Sequence, residues 1–255
     1  MLFEAQGVTK RFGGLTAVSN LSFGIEKGEI LGIFGPNGSG KTTLLSLISG
    51  MLPLTSGTFK WKGEEIVGQK PHRIAAMGIV KTFQNPQLFS ELSAFENTAI
   101  AGHLTLKRRL GSRRLTGFFR IDRSIEVELA AQVDRDLKLC RLDAVRDQPA
   151  SALSYGQEKM LGVAMGLMCE PELLLLDEPA SGLGSEEIAN LEAVLRDLRT
   201  RGVTLCIIDH KVGFLGRLSD QALALRNGQL IAIGKPDEVL NHPDVIEAYL
   251  GRRHA

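Results

Sequence analysis

GPNGSGKT, residues Gly35 to Thr42, follows the apolar, β-prone run Ile30 to Phe34 and precedes Thr42 to Ile48, whose apolar spacing is helical and stops at Gly50. A glycine, four residues and then Gly-Lys-Thr, set between a strand and a helix, is the P-loop pattern. Its glycines have a steric reason: backbone N–H groups must wrap closely around a polyphosphate, and side chains at Gly35, Gly38 or Gly40 would block that approach. Lys41 is expected to reach the β and γ phosphates and Thr42 to hold Mg²⁺, at the positive N-terminus of the helix that follows. Asn37, Ser39 and Thr43 complete the expected phosphate contacts. A purely structural glycine turn is the competing reading, and the complete spacing weighs against it.

LLLLDEP, Leu173 to Pro179, supplies the second half. A wholly apolar strand carries Asp177 to its C-terminal edge, where a contact with Mg²⁺ is expected, and Glu178 follows where a carboxylate can polarise water for in-line attack on a γ phosphate. Acids at strand ends are common in isolation. Beside a complete P-loop the pair points to nucleoside triphosphate hydrolysis rather than binding alone.

Around these motifs, VTLCIID reads as a further buried strand and ALALRNGQLIAIG as a hairpin turning at Asn227 and Gly228. Strands alternating with helices and buried on both faces imply an α/β core with a mostly parallel sheet. Residues 2–25 read as antiparallel strands, and SGTFKWKGEEI as a hairpin whose Trp61 serves packing. Residues from about 85 to 164 read as a mostly helical subdomain inserted in that core, so residues 1–255 form one nucleotide-binding domain.

Composition narrows the partners. Lys and Arg total 30 against 29 for Asp and Glu, so no global charge draws the chain to nucleic acid. Cys140, Cys169 and Cys206 are odd in number and widely spaced, which suits neither a disulfide framework nor a zinc cluster and fits a reducing cytosol. MLFEAQGVTKRFGG lacks the marks of a secretory signal, and no apolar run approaches the roughly 20 residues that span a bilayer, so docking on a membrane protein is the expected route to a membrane.

LSYGQ, Leu153 to Gln157, holds no carboxylate, histidine or thiol. By itself it reads as a helix start, with Ser154 as N-cap, Tyr155 and Gly156 in the turn and Glu158 opening the helix. Together with the P-loop and LLLLDEP about twenty residues later, however, it resembles the signature of ABC transporter ATP-binding subunits, a resemblance that covers essentially the whole chain. That resemblance implies that Ser154, Gly156 and Gln157 bind the γ phosphate of an ATP held in the P-loop of a second subunit. It implies further that Phe12 in KRFGG stacks on adenine with Val18 as an apolar neighbour, the alternative being that Phe12 is a core residue. The same resemblance implies that Gln84 in TFQNPQLF links Mg²⁺ or the attacking water to the membrane partner, and that His210, at a strand end, contacts the γ phosphate.

Three positions depart from the family pattern. Tyr155 replaces a small residue, SGLG (Ser181 to Gly184) replaces SALD, and Lys211 stands where an acid is frequent. Hydrolysis is expected to persist because Lys41, Asp177, Glu178 and His210 are all present, with altered communication between the two sites. FGGLTAV, KTFQNPQLF and HPDVIEAYLG resemble subunits of branched-chain amino acid importers of the LivG type, whose relatives move urea or amides. The implied partners are a second ATP-binding subunit, two transmembrane permease subunits and, indirectly, a solute-binding protein, at the cytoplasmic face of the inner membrane. A non-transport ABC ATPase is the rival within the family. A P-loop kinase or GTPase leaves LSYGQ without a purpose, and a module that binds ATP without hydrolysing it leaves Glu178 and His210 without one. The basic stretch LKRRLGSRRLTGFFRIDR, residues 106–123, reads first as a solvated loop.

Overall fold

Alternating apolar residues fold the first twenty-five positions into a pair of antiparallel strands. The computed structural model describes residues 1–102 and 123–250. Strand β1 (Phe3–Phe12) pairs with β2 (Leu15–Ile25) from Phe3 opposite Ile25 to Phe12 opposite Leu15. A register shift after Ala5 sits at Gly7, whose positive φ (59°) suits a bulge and whose N–H donates to Ser22 Oγ at 2.9 Å.

The second sheet is built from β3 (Ile30–Phe34), β6 (Ile79–Lys81), β7 (Leu173–Asp177), β8 (Thr204–Ile208), β9 (Gln221–Arg226) and β10 (Gln229–Gly234), in the spatial order β10-β9-β3-β8-β7-β6. The antiparallel sheet is completed by β4 (Ser56–Trp61) and β5 (Glu64–Glu65), in the order β2-β1-β4-β5. All pairings in the second sheet are parallel except β9 with β10. That hairpin turns on Asn227 (φ 50°) and Gly228 (φ 77°), the two left-handed residues of a tight two-residue loop.

Every residue of β3, β7 and β8 is buried because both sheet faces are covered. Their side chains divide with the two-residue period of a strand. Leu31, Ile33, Leu173, Leu175, Cys206 and Ile208 face a core shared with helix α1 (Lys41–Ile48) and the antiparallel sheet, where the rings of Phe3, Phe23 and Phe59 meet and Trp61 is packed. Phe34, Leu174, Leu176, Leu205 and Ile207 face the remaining helices.

Those helices are α2 (Pro71–Ala76), α3 (Ala94–Ala101), α4 (Arg123–Leu139), α5 (Tyr155–Leu167), α6 (Ser185–Thr200), α7 (Val212–Leu218), α8 (Pro236–Leu240) and α9 (Pro243–Leu250). Helices α3, α4 and α5 pack on one another. Helix does not fill the whole expected span, since residues 85–93 are irregular and α3 begins only after the capping box of Ser93 and Glu96. The fully buried Asn97 holds that irregular loop, accepting from the Phe89 N–H at 2.8 Å and donating to the carbonyls of Phe89 and Leu92 at 3.1 and 3.0 Å. Helix α5 also runs past residue 164, to Leu167. Nearly all of the basic stretch 106–123 lies outside the described residues.

Candidate functional site

The P-loop takes its shape from positions that accept no side chain. Gly35 (φ 147°) would drive a Cβ into the Leu225 carbonyl, and Gly40 (φ 100°) would drive one into the Ala17 carbonyl. Inside the turn the Lys41 ammonium donates to the carbonyls of Gly35 at 2.7 Å and Pro36 at 3.0 Å. Burial lowers the Lys41 pKa, while the charges of Glu178 and Asp177 pull it back up. Ser39 Oγ is buried and has no protein hydrogen-bond partner.

β7 delivers Asp177 to the same corner. One carboxylate oxygen accepts from Thr42 Oγ1 at 3.4 Å, and the other lies 3.2 Å from Lys81 Nζ. Both members of this ion pair are buried, and Lys81 also donates to Ser46 Oγ at 3.3 Å. Thr42 and Asp177 offer only oxygen donors, which fits a hard cation that completes its shell with phosphate and water. Among the described residues no group of three or more His, Cys, Asp or Glu is placed to hold a metal ion by itself.

Glu178 is the chain's strained residue here. It occupies the left-handed region (φ 52°) with its N–H donating to the Ile208 carbonyl at 2.8 Å. Gln84 Nε2 donates to one of its carboxylate oxygens at 2.7 Å, and His210 Nε2 lies 2.7 Å from the other. The Gln84 carbonyl in turn accepts from the buried Lys159 ammonium. His210 is set by its buried neighbour Asp209, which accepts from the N–H groups of Ala180 and Lys211, each at 2.9 Å. Lys211, where an acid was expected, donates to the Leu183 carbonyl at 2.8 Å.

A cleft of about 900 Å³ opens over these groups, lined by Asn37 to Thr43, Glu178 and His210, with Phe12 on its far wall. Phe12 is 45% exposed, so the structure sets aside the core reading of that ring. Val18 must be corrected: it is fully buried among core residues and does not line the cleft, where the apolar neighbours of Phe12 are Leu15 and Ala17. Asn227 also lines it. In the sequence Asn227 reads only as a hairpin-turn residue and Lys81 only as the first residue of KTFQNPQLF, neither as part of the site.

Ser154, Gly156 and Gln157 lie away from this cleft. Ser154 caps α5, its hydroxyl accepting from the Gln157 N–H at 3.3 Å while Gln157 Oε1 accepts from the Ser154 N–H at 2.8 Å. The helix therefore begins at Tyr155, earlier than Glu158. Gly156 is buried against the Glu187 carboxylate, which a Cβ would strike. Two departures from the family pattern touch each other: the Tyr155 ring lies where a Cβ on Gly182 would fall, 2.6 Å from that position.

With this geometry in view, the comparisons with known proteins are specific. The family model "ABC transporter" matches residues 18–181, and "Branched-chain amino acid ATP-binding cassette transporter" matches 229–255. The chain is 37% identical over 253 residues to the high-affinity branched-chain amino acid transport ATP-binding protein BraF of Pseudomonas aeruginosa, covering 98% of each chain. It is 36% identical over 252 residues to LivG of Escherichia coli, again covering 98% of each. Among solved structures, the ADP conformation of MJ1267, an ATP-binding cassette of an ABC transporter, superposes with a TM-score of 0.84 at 28% identity, covering 98% of this chain and 99% of that one.

Proposed function

The chain belongs to the ABC transporter family of ATP-binding cassettes, and on that premise we propose that it is the ATP-hydrolysing subunit of a branched-chain amino acid importer. The observation that carries this reading is the Glu178 carboxylate, gripped by Gln84 and His210 at the mouth of a P-loop cleft.

Adenine stacks on Phe12 between Leu15 and Ala17, and the phosphates lie on the N–H groups of Gly38 to Thr43. Lys41 leaves the carbonyls of Gly35 and Pro36 for the β and γ phosphates, exchanging two neutral acceptors for charged ones. Thr42, Asp177 and Gln84 would hold Mg²⁺, which when bound would neutralise developing charge on the phosphates. Glu178 accepts a proton from the attacking water, and His210 orients the carboxylate and meets the γ phosphate. Tight positioning supplies much of such a rate, and the left-handed backbone of Glu178 is the cost of aiming it.

Ser154 and Gly156 stand outside the cleft in their own chain, which suits them to the γ phosphate of a second ATP-binding subunit. ATP then joins two surfaces and hydrolysis removes the link, so closure and opening can drive two permease subunits that receive solute from a binding protein. In this reading the permeases hold the subunit at the cytoplasmic face; among the described residues no helix is long and apolar enough to cross a membrane.

The test is reconstitution with the companion permeases and binding protein. ATP-dependent leucine uptake and phosphate release are both expected, and Lys41→Ala should lower ATP affinity by about 10- to 100-fold by removing a charged hydrogen-bond donor. Phosphate release without uptake of any branched-chain amino acid would refute the cargo, and no release at all would refute the ATPase.

A further inference from the structure

We propose that Tyr249, at the end of helix α9, is a positioning residue for the P-loop, so that the C-terminal helix tunes nucleotide affinity. The inference rests on the ATPase reading above and extends it to a part of the chain outside the cleft.

The Tyr249 hydroxyl accepts the N–H of Gly35 at 2.8 Å, across 214 residues of sequence. Gly35 is the hinge between β3 and the loop, with a φ of 147° and no room for a side chain. Its own carbonyl accepts from Lys41 at 2.7 Å. The backbone of one residue thus receives the tyrosine on one side and the phosphate-binding lysine on the other.

The helix that carries Tyr249 is fastened independently of that bond. Val245, 2% exposed, packs in the same core as Phe34, the last residue of β3. Glu247 lies 3.6 Å from Arg226 at the end of β9. Burial raises the Tyr249 pKa, against the lowering effect of the Gly35 N–H, so the phenol keeps its proton and acts as a neutral acceptor. When Lys41 swings from the Gly35 carbonyl to phosphate, the tyrosine still holds the hinge. A loop held in its binding shape loses less conformational freedom on taking up the nucleotide.

Tyr249→Phe in the full chain removes only the hydroxyl. Equilibrium binding of ATP and of ADP, each measured with and without Mg²⁺, should weaken about threefold to tenfold, the usual effect of one hydrogen bond. KM for ATP should rise by the same factor with kcat changing less than twofold, and hydrogen exchange at the Gly35 amide should quicken. Val245→Ala, which loosens the packing of the helix but keeps the hydroxyl, should weaken binding less. Unchanged affinity and unchanged Gly35 exchange in Tyr249→Phe, while the wild-type chain hydrolyses ATP, would overturn the proposal and leave the ATPase reading intact. An equal loss in both variants would also overturn it, by assigning the effect to general loosening. A wild-type chain that neither binds nor hydrolyses ATP would bring down the ATPase reading and this inference together.

Discussion

Around Lys41 the functional groups are tied to one another within the chain: lysine to loop carbonyls, Asp177 to Thr42 and Lys81, Glu178 to Gln84 and His210. Around Ser154 the bonds are local, a serine and a glutamine closing the first turn of α5, with a half-exposed tyrosine leaning on Gly182. The first region is a cleft that can receive a ligand by itself. The second is a helix start whose residues do not line that cleft. On the proposed reading the contrast divides chemistry from assembly: one face holds the reacting groups, and the other offers a helix N-terminus to a second subunit.

The largest effect that would test this division is on the chemical face. Glu178→Gln keeps the hydrogen bonds to Gln84 and His210 within reach but removes the base, so kcat should fall by about 10²- to 10⁴-fold while ATP still binds. Light scattering with ATP should then find a trapped dimer. A persistent monomer would break the comparison, because the Ser154 face would have no partner.

A smaller effect is expected where the two departures meet. Gly182→Ala puts a side chain on a left-handed residue (φ 79°) and against the Tyr155 ring, and should cost about 1–3 kcal/mol in urea unfolding. Restoring room with Tyr155→Gly should recover part of that loss. Strict additivity in the double-mutant cycle would show that the ring and the loop do not communicate.

The smallest effect belongs to the helices behind the signature. Asp136 has a buried oxygen without a hydrogen-bond partner, and burial pushes its pKa up to about 6, with Arg135 and Arg201 only partly offsetting this. A carboxyl whose folded pKa exceeds the unfolded one favours the fold while protonated, and that contribution disappears as pH rises from about 4 through 6. Asp136→Asn should therefore match the wild type near pH 4 and be more stable by about 1–2 kcal/mol at pH 7.5. Equal stabilities at both pH values would remove the carboxylate from the account.

What was legible in the sequence was what local spacing controls. The run from Gly35 to Thr42 must curl around an anion whatever surrounds it, an apolar strand ending in Asp177 and Glu178 must place its acids at a sheet edge, and Asn227 with Gly228 must turn. The irregular run 85–93 within a span expected to be mostly helical was not legible, because apolar spacing cannot register that Asn97 spends its amide on loop carbonyls. Val18 follows the cleft-lining residues Leu15 to Ala17 directly in the chain yet is fully buried, a difference that sequence spacing does not display. Lys81 on Asp177 and Tyr249 on Gly35 depend on segments brought together only by the sheet order, and no window of sequence contains both partners.

The capping hydroxyl of Ser154 has one more property. It accepts from its own helix, and an alcohol that accepts still has a hydrogen to give. A visiting anion can take that hydrogen while the first turn of the helix stays wound, so docking and undocking need not melt and rebuild anything on this side. On the proposed reading, repeated association at such a face can be fast and reversible, because Ser154 would keep its place in the first turn throughout.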